Sequence, residues 1–225
     1  MNNSYSFPIN AALLLGPTGV GKSPLGDAIA NHGLFGRRCH HLDFGSELRR
    51  AVFDDGVARM YTTVELKTIH CVLEHGLLLE NEHFPLAHKI ISQFIIHTGF
   101  SKYDLLILNG IPRHEGQAVD IANFVRIHFL VILDCSSADI YCRIRENVGG
   151  DRTERLDDYH EMIEKKLAIF HKRTAPLITH YERLHIKMYP INIQGAMTPA
   201  DTYLKLSLLA AADPPVALIT KPPHR

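Results

Sequence analysis

The stretch Gly16–Ser23 has the residue types and spacing of a phosphate-binding turn. It reads Gly-Pro-Thr-Gly-Val-Gly-Lys-Ser, fits the pattern G-x-x-x-x-G-K-[ST], and lies between an apolar run and a helical pattern. Glycines in such a turn let backbone N–H groups point at phosphate oxygens, and the helix that follows adds positive potential. A glycine-rich turn without a ligand is the alternative interpretation, which a match in this context disfavours.

The chemistry that this pattern indicates is the binding of ATP together with Mg²⁺. The Lys22 ammonium would reach the β- and γ-phosphates, and the Ser23 hydroxyl would ligate the metal. Pro24 falls in the first helical turn, where its missing N–H is tolerated. The predicted nucleotide-binding residues are Gly16, Gly19, Val20, Gly21, Lys22, Ser23 and Pro24.

Further polar segments follow predicted strands or border a predicted loop. The segment His41–Arg49 follows the second strand, and Leu108–Arg113 ends the third. Three arginines and an acidic pair surround a loop with two adjacent glycines; they are Arg143, Arg152, Arg155, Asp157 and Asp158. Guanidinium groups bind phosphate oxygens bidentately, so these arginines favour phosphoryl transfer as the chemistry of the site.

The composition is that of an ordinary globular protein without net charge. The chain has 225 residues, with 24 Lys and Arg against 24 Asp and Glu, and 46% of its residues are hydrophobic. Zero net charge argues against a nucleic-acid partner, and no apolar run approaches the ~20 residues of a membrane span. Residues 1–10 lack the pattern of a signal peptide. Cys39, Cys71, Cys135 and Cys142 have neither metal nor Cys-x-x-Cys spacing, so we expect free thiols in a cytoplasmic protein. We also expect a monomer.

Apolar runs alternate with helical patterns along the chain, which predicts an α/β domain around a parallel sheet. The predicted strands are Ile9–Leu15, Arg38–Leu42, Tyr103–Leu108, His128–Leu133 and Ile186–Ile193. The predicted helices are Ser23–Asn31, Ser46–Phe53, Val64–Glu74, Glu82–His97, Glu115–Val125, Ala138–Glu146, Asp157–His185 with a bend near Pro176, and Pro199–Ala211. Residues 1–211 would form one doubly wound domain with its ligand site at the carboxyl ends of the strands. The proline-rich residues 212–225 are predicted to be a mobile tail.

The order of these motifs resembles the adenylate kinase and UMP–CMP kinase family of nucleoside monophosphate kinases. The resemblance runs from about Leu13 to Gly195, and its most specific parts are the Gly16–Ser23 loop and the run from Asn109 to Gln117, Asn-Gly-Ile-Pro-Arg-x₃-Gln. It implies a P-loop kinase fold with a five-stranded parallel sheet. The implied activity is ATP-dependent phosphoryl transfer to a nucleoside monophosphate.

The same resemblance implies an acceptor lobe over residues 45–84 and a short lid over residues 143–157. These lobes would close over the substrates and expel water. Arg49 and Arg113 would hold the acceptor's α-phosphate, and Gln117 would read its base. The implied acceptor-site residues are Gly45, Arg49, Leu79, Gly110, Arg113 and Gln117. The implied catalytic residues are Lys22, Arg113, and two lid arginines that would cover the transferring phosphoryl group, Arg143 and Arg155. Asp157 and Asp158 would help to hold the closed state.

The chain departs from the family at the residue that usually organises the magnesium shell. Asn109 stands where the family has an aspartate, and a neutral amide attracts a cation less. Asp43, near the end of a neighbouring predicted strand, is the nearest acid that the order of the chain suggests. We therefore expect Ser23 and Asp43 to serve the metal.

Other departures affect the lid and the acceptor base. Asn147 stands where a further lid arginine is usual, and Arg152 could substitute from the same loop. Lys166 replaces an arginine on the following helix, which keeps the charge but loses the bidentate fork. Phe44 stands in place of a small hydroxyl residue near the acceptor base.

Two other functions remain open from the sequence. One is a small-metabolite P-loop kinase of the shikimate kinase type, with Asp43 as the acid of its acceptor site. The other is a nucleotide-binding module with little turnover, in which Asn109 and the altered lid reflect lost catalysis. The scattered histidines are interpreted as surface or core residues rather than as a metal site.

Overall fold

A parallel sheet forms the centre of the fold. The computed structural model describes residues 8–153 and 159–218, so Arg155, Asp157 and Asp158 lie outside the described residues. The strands are β1 (Ile9–Leu15), β2 (Cys39–Asp43), β3 (Leu105–Asn109), β4 (Val125–Asp134) and β5 (Lys187–Asn192). Every pairing is parallel, and the strand order is β2-β3-β1-β4-β5. The predicted five-stranded parallel sheet in an α/β fold is confirmed.

Helices cover both faces of this sheet. In the described residues they are α1 (Lys22–His32), α2 (Phe44–Phe53), α3 (Asp55–Ala58), α4 (Thr63–His75), α5 (Phe84–Thr98), α6 (Glu115–Ile121), α7 (Ser137–Glu146), α8 (His160–Ile169), α9 (Pro176–Arg183) and α10 (Pro199–Ala212). Two 3₁₀ turns lie at Asn81–His83 and Val216–Leu218, and a π-helical turn at Phe170–Thr174. Within the described ranges, none of these helices has both the length and the apolarity to cross a bilayer.

Strand β1 occupies the middle of the sheet because it is apolar on both faces. Leu13 packs into one hydrophobic cluster with side chains of α2, α4, α5, α6 and α9, and Leu14 packs into a second cluster with α1 and α10. Successive side chains of a strand point to opposite faces, so such a continuous apolar run is stable only between two helical layers. The loop after β1 therefore opens at the centre of the sheet's carboxyl edge.

Side-chain caps determine where several helices begin. Asp43 caps α2 through its side chain, so this helix starts at Phe44 rather than at the predicted Ser46. Thr62 and Thr198 form capping boxes at the starts of α4 and α10. The helix after β3 ends at Ile121 instead of the predicted Val125, because the alternating burial of residues 125–129 belongs to β4.

The predicted bend in the long helical segment is confirmed, but it starts before Pro176. Helix α8 ends at Ile169, and the Ala175 N–H donates to the carbonyl oxygen of Phe170, five residues earlier, at 2.8 Å. Proline cannot donate a backbone hydrogen bond, so the chain leaves α-helical pairing in the turn before it. This π-helical turn places Thr174 against Arg113, in the segment after β3, and Arg173 against Glu80.

The first residues of the segment 212–225, whose mobility stays a prediction, contact strand β5. The Asp213 carboxylate pairs with Lys187, and the Tyr189 hydroxyl donates to the Asp213 carbonyl oxygen at 2.7 Å. Leu218 is buried against the apolar side chains of β5. Strand β5 is an edge strand, and this segment covers apolar surface that would otherwise face water.

Candidate active site

The loop between β1 and α1 fits tightly against its neighbours. Gly16 and Gly19 have φ angles of 152° and 81°. A Cβ at Gly16 would lie 2.5 Å from the carbonyl oxygen of Leu133, and one at Gly19 would lie 2.8 Å from the Ile144 side chain. Glycine is required at these positions for both conformation and space, and the loop is held against β4 and α7.

Lys22 begins α1 and lies against this loop. Its ammonium Nζ donates to the carbonyl oxygens of Gly16 at 2.7 Å and Pro17 at 2.6 Å. The N-cap of α1 is Gly21, and within the described residues no side chain caps this helix. The amides of the first turn and the ammonium therefore combine into a strongly positive end of the helix.

A polar cluster of Ser23, Asp43 and Asn109 forms where β2 and β3 end beside α1. The Ser23 hydroxyl donates to Asp43 Oδ2 at 2.5 Å, and Asn109 Nδ2 donates to Ser23 Oγ at 3.1 Å and to Asp43 Oδ2 at 3.2 Å. Asp43 and Asn109 are partners in the β2–β3 register. The other carboxylate oxygen of Asp43 accepts from the Ser46 N–H at 3.0 Å and caps α2. The predicted proximity of Asp43 to Asn109 is confirmed.

The chemistry of this cluster fits Mg²⁺ bound together with a nucleotide. Within the described ranges, no three His, Cys, Asp or Glu side chains group as ligands for a metal ion. Mg²⁺ in nucleotide sites needs less than that, because substrate phosphates and water supply most of its ligands beside one or two carboxylates. The Ser23 hydroxyl and the Asp43 carboxylate would each supply one oxygen ligand to such an ion.

One cleft joins the loop to the predicted acceptor side. Its lining includes Lys22, Ser23, Asp43, Gly45, Arg49, Asn109, Gly110, Arg113, Arg152 and Lys166. Among the described lining residues five are Lys or Arg, against the two acids Asp43 and Asp151. Since the whole chain has no net charge, this concentration of cations indicates an anionic ligand.

Arg113 is held in the cleft from two directions. Its backbone N–H donates to Gln117 Oε1 at 2.8 Å, and its carbonyl oxygen accepts from the Thr174 hydroxyl at 2.9 Å. Its side-chain Nε contacts Thr174 Oγ1 at 3.5 Å. Burial lowers the pKa of the Arg113 guanidinium from its usual value. A phosphate bound beside it would offset this loss of hydration.

Gln117 and Leu79 are buried and contact each other. The side-chain amide of Gln117 donates to the Leu79 carbonyl oxygen at 2.8 Å, while its oxygen accepts from Arg113. The His114 Nε2 lies 3.0 Å from the same Leu79 oxygen. Neither Gln117 nor Leu79 is among the described residues that line the cleft. Their predicted contact with the acceptor base stays a prediction, and in this structure they brace the loop that carries Arg113.

Arg143 is 4% exposed and holds a neighbouring loop. Its Nη1 lies 3.1 Å, 3.0 Å and 2.8 Å from the carbonyl oxygens of Gln194, Gly195 and Met197. Loss of hydration lowers the pKa of its guanidinium. Arg143 is not among the described residues lining the cleft, so its predicted role over the phosphoryl group stays a prediction.

Asn147 organises the loop that brings Arg152 to the cleft. It ends α7 with φ 47°, a left-handed conformation that asparagine tolerates well. Its side-chain oxygen accepts from the Arg152 N–H at 3.0 Å, and its amide donates to the Thr153 hydroxyl at 3.1 Å. Arg152 and Lys166 both line the cleft. The sequence departure at Asn147 is thus accompanied by an arginine supplied from the same loop.

Two contributions to the site were missed from the sequence. His41, interpreted as one of many scattered histidines, contacts Asn109, and His114 supports the loop at Leu79. A signal was present for His41, because it lies two residues before Asp43 and therefore on the same face of β2. His114 carries no comparable signal, since its partner is 35 residues away.

The fold and this site define a P-loop α/β protein with an anion-binding cleft. Comparison with models of known protein families gives no match. Curated proteins with similar sequences include an adenylate kinase of Haloarcula marismortui, 25% identical over 75% of this chain and 83% of its own length. A UMP-CMP kinase 1 of Oryza sativa is 27% identical over 81% of this chain and 69% of its own length. An adenylate kinase of Synechococcus is 27% identical over 76% of this chain and 84% of its own length. The resemblance to the adenylate kinase and UMP–CMP kinase family, predicted from the motifs, is confirmed.

Proposed function

We propose that this protein transfers a phosphoryl group from ATP to a nucleoside monophosphate. The observation that carries the proposal is the single cleft in which Lys22 and Ser23 of the loop face the acceptor-side Arg49 and Arg113. Transfer between two nucleotides requires cations for both sets of phosphates in one water-excluding space. The names of the relatives, adenylate kinase and UMP-CMP kinase, support this activity.

The residues of the cleft act mainly by positioning charge. Lys22 and the loop amides bind the phosphates of ATP, and Arg49 and Arg113 hold the monophosphate in line with them. Ser23 and Asp43 would hold Mg²⁺, which when bound neutralises charge on the transferring phosphates. Arg152 and Lys166 stabilise the negative charge that spreads over the phosphoryl oxygens during transfer.

The same proposal includes an acceptor lobe and a lid that close over the substrates. Residues 45–84, which include most of α2 and all of α3 and α4, form the acceptor lobe, and residues 143–157, of which the structure describes 143–153, form the short lid. Closure of both excludes water that would otherwise hydrolyse ATP. The four cysteines are free thiols, as in a reducing compartment, and the proposed protein acts in the cytoplasm. The proposal also takes it to be a monomer.

A coupled ADP-release assay tests the proposed function. AMP, CMP, UMP and GMP are supplied in turn with ATP and Mg²⁺, and a shikimate-type hydroxyl acid is supplied in a parallel series. Turnover with at least one monophosphate, well above ATP hydrolysis without acceptor, is the expected result. Turnover with the hydroxyl acid alone identifies a small-metabolite kinase, and no turnover with any acceptor identifies a nucleotide-binding module.

Arg113→Ala is expected to weaken use of the monophosphate while leaving ATP binding nearly unchanged. The loss of a charge-assisted hydrogen bond to phosphate corresponds to about 1.5–3 kcal/mol, or roughly a tenfold to hundredfold fall in kcat/KM for the acceptor. Steady-state kinetics with each substrate varied in turn measure the split. Arg126→Ala, an exposed change on β4, is the control. Equal damage to ATP and acceptor would show that Arg113 is wrongly placed.

Arg152→Ala is expected to lower kcat roughly tenfold or more, because it removes a charge-assisted contact to the transferring phosphoryl group. Asn147→Ala removes two hydrogen bonds that shape the loop, so it is expected to lower kcat less, by about fivefold. Arg145→Ala on the last turn of α7, with its side chain 77% exposed, is the matched control. If Asn147→Ala lowers kcat while Arg152→Ala does not, the loop matters for another reason than delivery of Arg152.

A further inference from the structure

His41 is tightly packed beside the cluster of Ser23, Asp43 and Asn109. Its side chain is 5% exposed and lies against the backbone of α1 at Gly26. A Cβ at Gly26 would approach the imidazole ring to 2.3 Å, so only glycine leaves space for the ring. The position of the ring is therefore determined by packing as well as by hydrogen bonds.

The hydrogen bonds of His41 define which of its nitrogens carries the proton. Its Nδ1 lies 2.7 Å from Asp27 Oδ1, and a carboxylate oxygen can only accept. The Nδ1 atom is thus the donor, and in the neutral ring Nε2 is left as an acceptor. Asn109 Nδ2 lies 3.4 Å from this Nε2 and donates to it.

The orientation of the Asn109 amide follows from its three acceptors. Nδ2 faces Ser23 Oγ, Asp43 Oδ2 and His41 Nε2, and neither the carboxylate nor the imidazole nitrogen can donate in return. Turning the amide over would place its oxygen against the Asp43 carboxylate and the neutral His41 Nε2 and lose both contacts, and the Ser23 hydroxyl could donate to that oxygen only by giving up Asp43. Asn109 is therefore held as a hydrogen-bond donor to the Ser23–Asp43 pair.

We propose that Asp27 and His41 are positioning residues that fix the Asn109 amide as a donor and so keep Asp43 ready to serve the metal. The magnesium part of this inference rests on the proposed function. A second carboxylate at position 109 would repel Asp43, whereas a fixed N–H donor stabilises its charge. The Asp27–His41 pair thus orients the side chain of Asn109, which stands where the family has an aspartate.

Asp27→Ala is the mildest test, because the Asp27 side chain is 67% exposed and its removal leaves the core intact. In protein without metal or nucleotide, imidazole ¹⁵N shifts report the tautomer of His41, identified as the signal missing in His41→Gln. The wild type is expected to show the Nδ1–H form, and Asp27→Ala a mixture of both forms. The side-chain NH₂ signal of Asn109, identified with Asn109→Ala, is expected to exchange faster with solvent in Asp27→Ala.

A second experiment measures, for each variant, the Mg²⁺ concentration that gives half-maximal turnover. Changes beside metal ligands typically weaken metal affinity or activity tenfold or more, so we expect a rise of about tenfold for Asp27→Ala and more for His41→Leu. His41→Gln is expected to recover part of the loss, because its amide oxygen accepts from Asn109 as Nε2 does. His40→Gln is the matched control, since His40 neighbours His41 on β2 and pairs with Asp104 at 3.1 Å, away from this cluster.

Gly26→Ala tests the same inference without removing any polar group. The added methyl displaces the His41 ring and is expected to reproduce the ¹⁵N and exchange changes of Asp27→Ala. Unchanged tautomer and NH₂ exchange in both variants would overturn the positioning role, whatever the activity. Changed spectra with an unchanged Mg²⁺ requirement would overturn the link to the metal. Absence of turnover in the wild type would overturn the proposed function, and the spectra would still decide the positioning role.

Discussion

Replacement of Lys22 by alanine is expected to lower kcat by about 10²- to 10³-fold while the protein stays folded. Removing a preorganised charge from the place where negative charge develops has effects of this size. The Lys22 ammonium lies within hydrogen-bond distance of the Gly16 and Pro17 carbonyl oxygens at the start of α1. The other basic residues that line the cleft come from α2, the segment after β3, the loop after α7, and α8.

Kinetics at saturating ATP and acceptor measure this loss, and thermal unfolding followed by circular dichroism checks the fold. Lys205→Ala, an exposed change on α10, is the control and should keep wild-type turnover. Lys22→Met keeps the length of the side chain without its charge and should behave like Lys22→Ala. A folded Lys22→Ala protein with wild-type kcat would contradict the P-loop kinase assignment.

Asp43→Asn is expected to have the second-largest effect, with turnover reduced about a hundredfold and a higher Mg²⁺ requirement. The substitution keeps a side chain that can cap α2, because asparagine caps helices as well as aspartate does. It removes the negative charge from the cluster with Ser23 and Asn109. Magnesium titrations of turnover, with circular dichroism as the check on α2, measure the effect.

Asn109 variants complete the test of whether Asp43 supplies the negative charge that is missing at position 109 of the neighbouring strand. Asn109→Ala should lower turnover less than Asp43→Asn, because it removes a neutral donor rather than the carboxylate. Asn109→Asp should be tolerated at high Mg²⁺ and should make turnover depend more steeply on Mg²⁺, since two adjacent carboxylates repel until a cation lies between them.

Asp54→Asn is the matched control for Asp43→Asn. Asp54 caps α3 by the same kind of side-chain contact but lies outside the Ser23–Asp43–Asn109 cluster. Wild-type turnover and Mg²⁺ response in Asp43→Asn would contradict the idea that Asp43 replaces the acid missing at position 109. That result would favour a nucleotide-binding module with little turnover.

The sequence alone was sufficient for the sheet and for the nucleotide loop, because both depend on local patterns. Strands buried on two faces appear as short apolar runs, and β1 was predicted with its observed bounds. The Gly16–Ser23 loop is specified by glycines at positions where a side chain would collide with β4 or α7. Helix starts moved by one or two residues where a capping side chain, such as Asp43, was not used in the prediction.

The assignment of individual polar side chains could not be made from the sequence. The role of Arg143 over the phosphoryl group stays a prediction, and the carbonyl oxygens that its Nη1 contacts belong to residues 51 to 54 positions away in the chain. The Gln117 amide is likewise bonded to a carbonyl 38 residues away. A buried polar group takes whichever partner the packing brings to it, and that choice depends on contacts distant in the chain.

The sequence determined that Asp43 and Asn109 each end a strand, and that an acid was missing at one position and present at the other. The family resemblance implied that these strands are neighbours, and only the tertiary structure decided which atoms of the two side chains meet. Strand pairing joins segments far apart in the chain, and here it brings side chains 66 residues apart to 3.2 Å. The same pairing places His41 against Asn109, while the packing of α1 on β2 supplies its partner Asp27. Local residue patterns specify elements, whereas the neighbours of each element follow from burial of apolar surface over the whole chain.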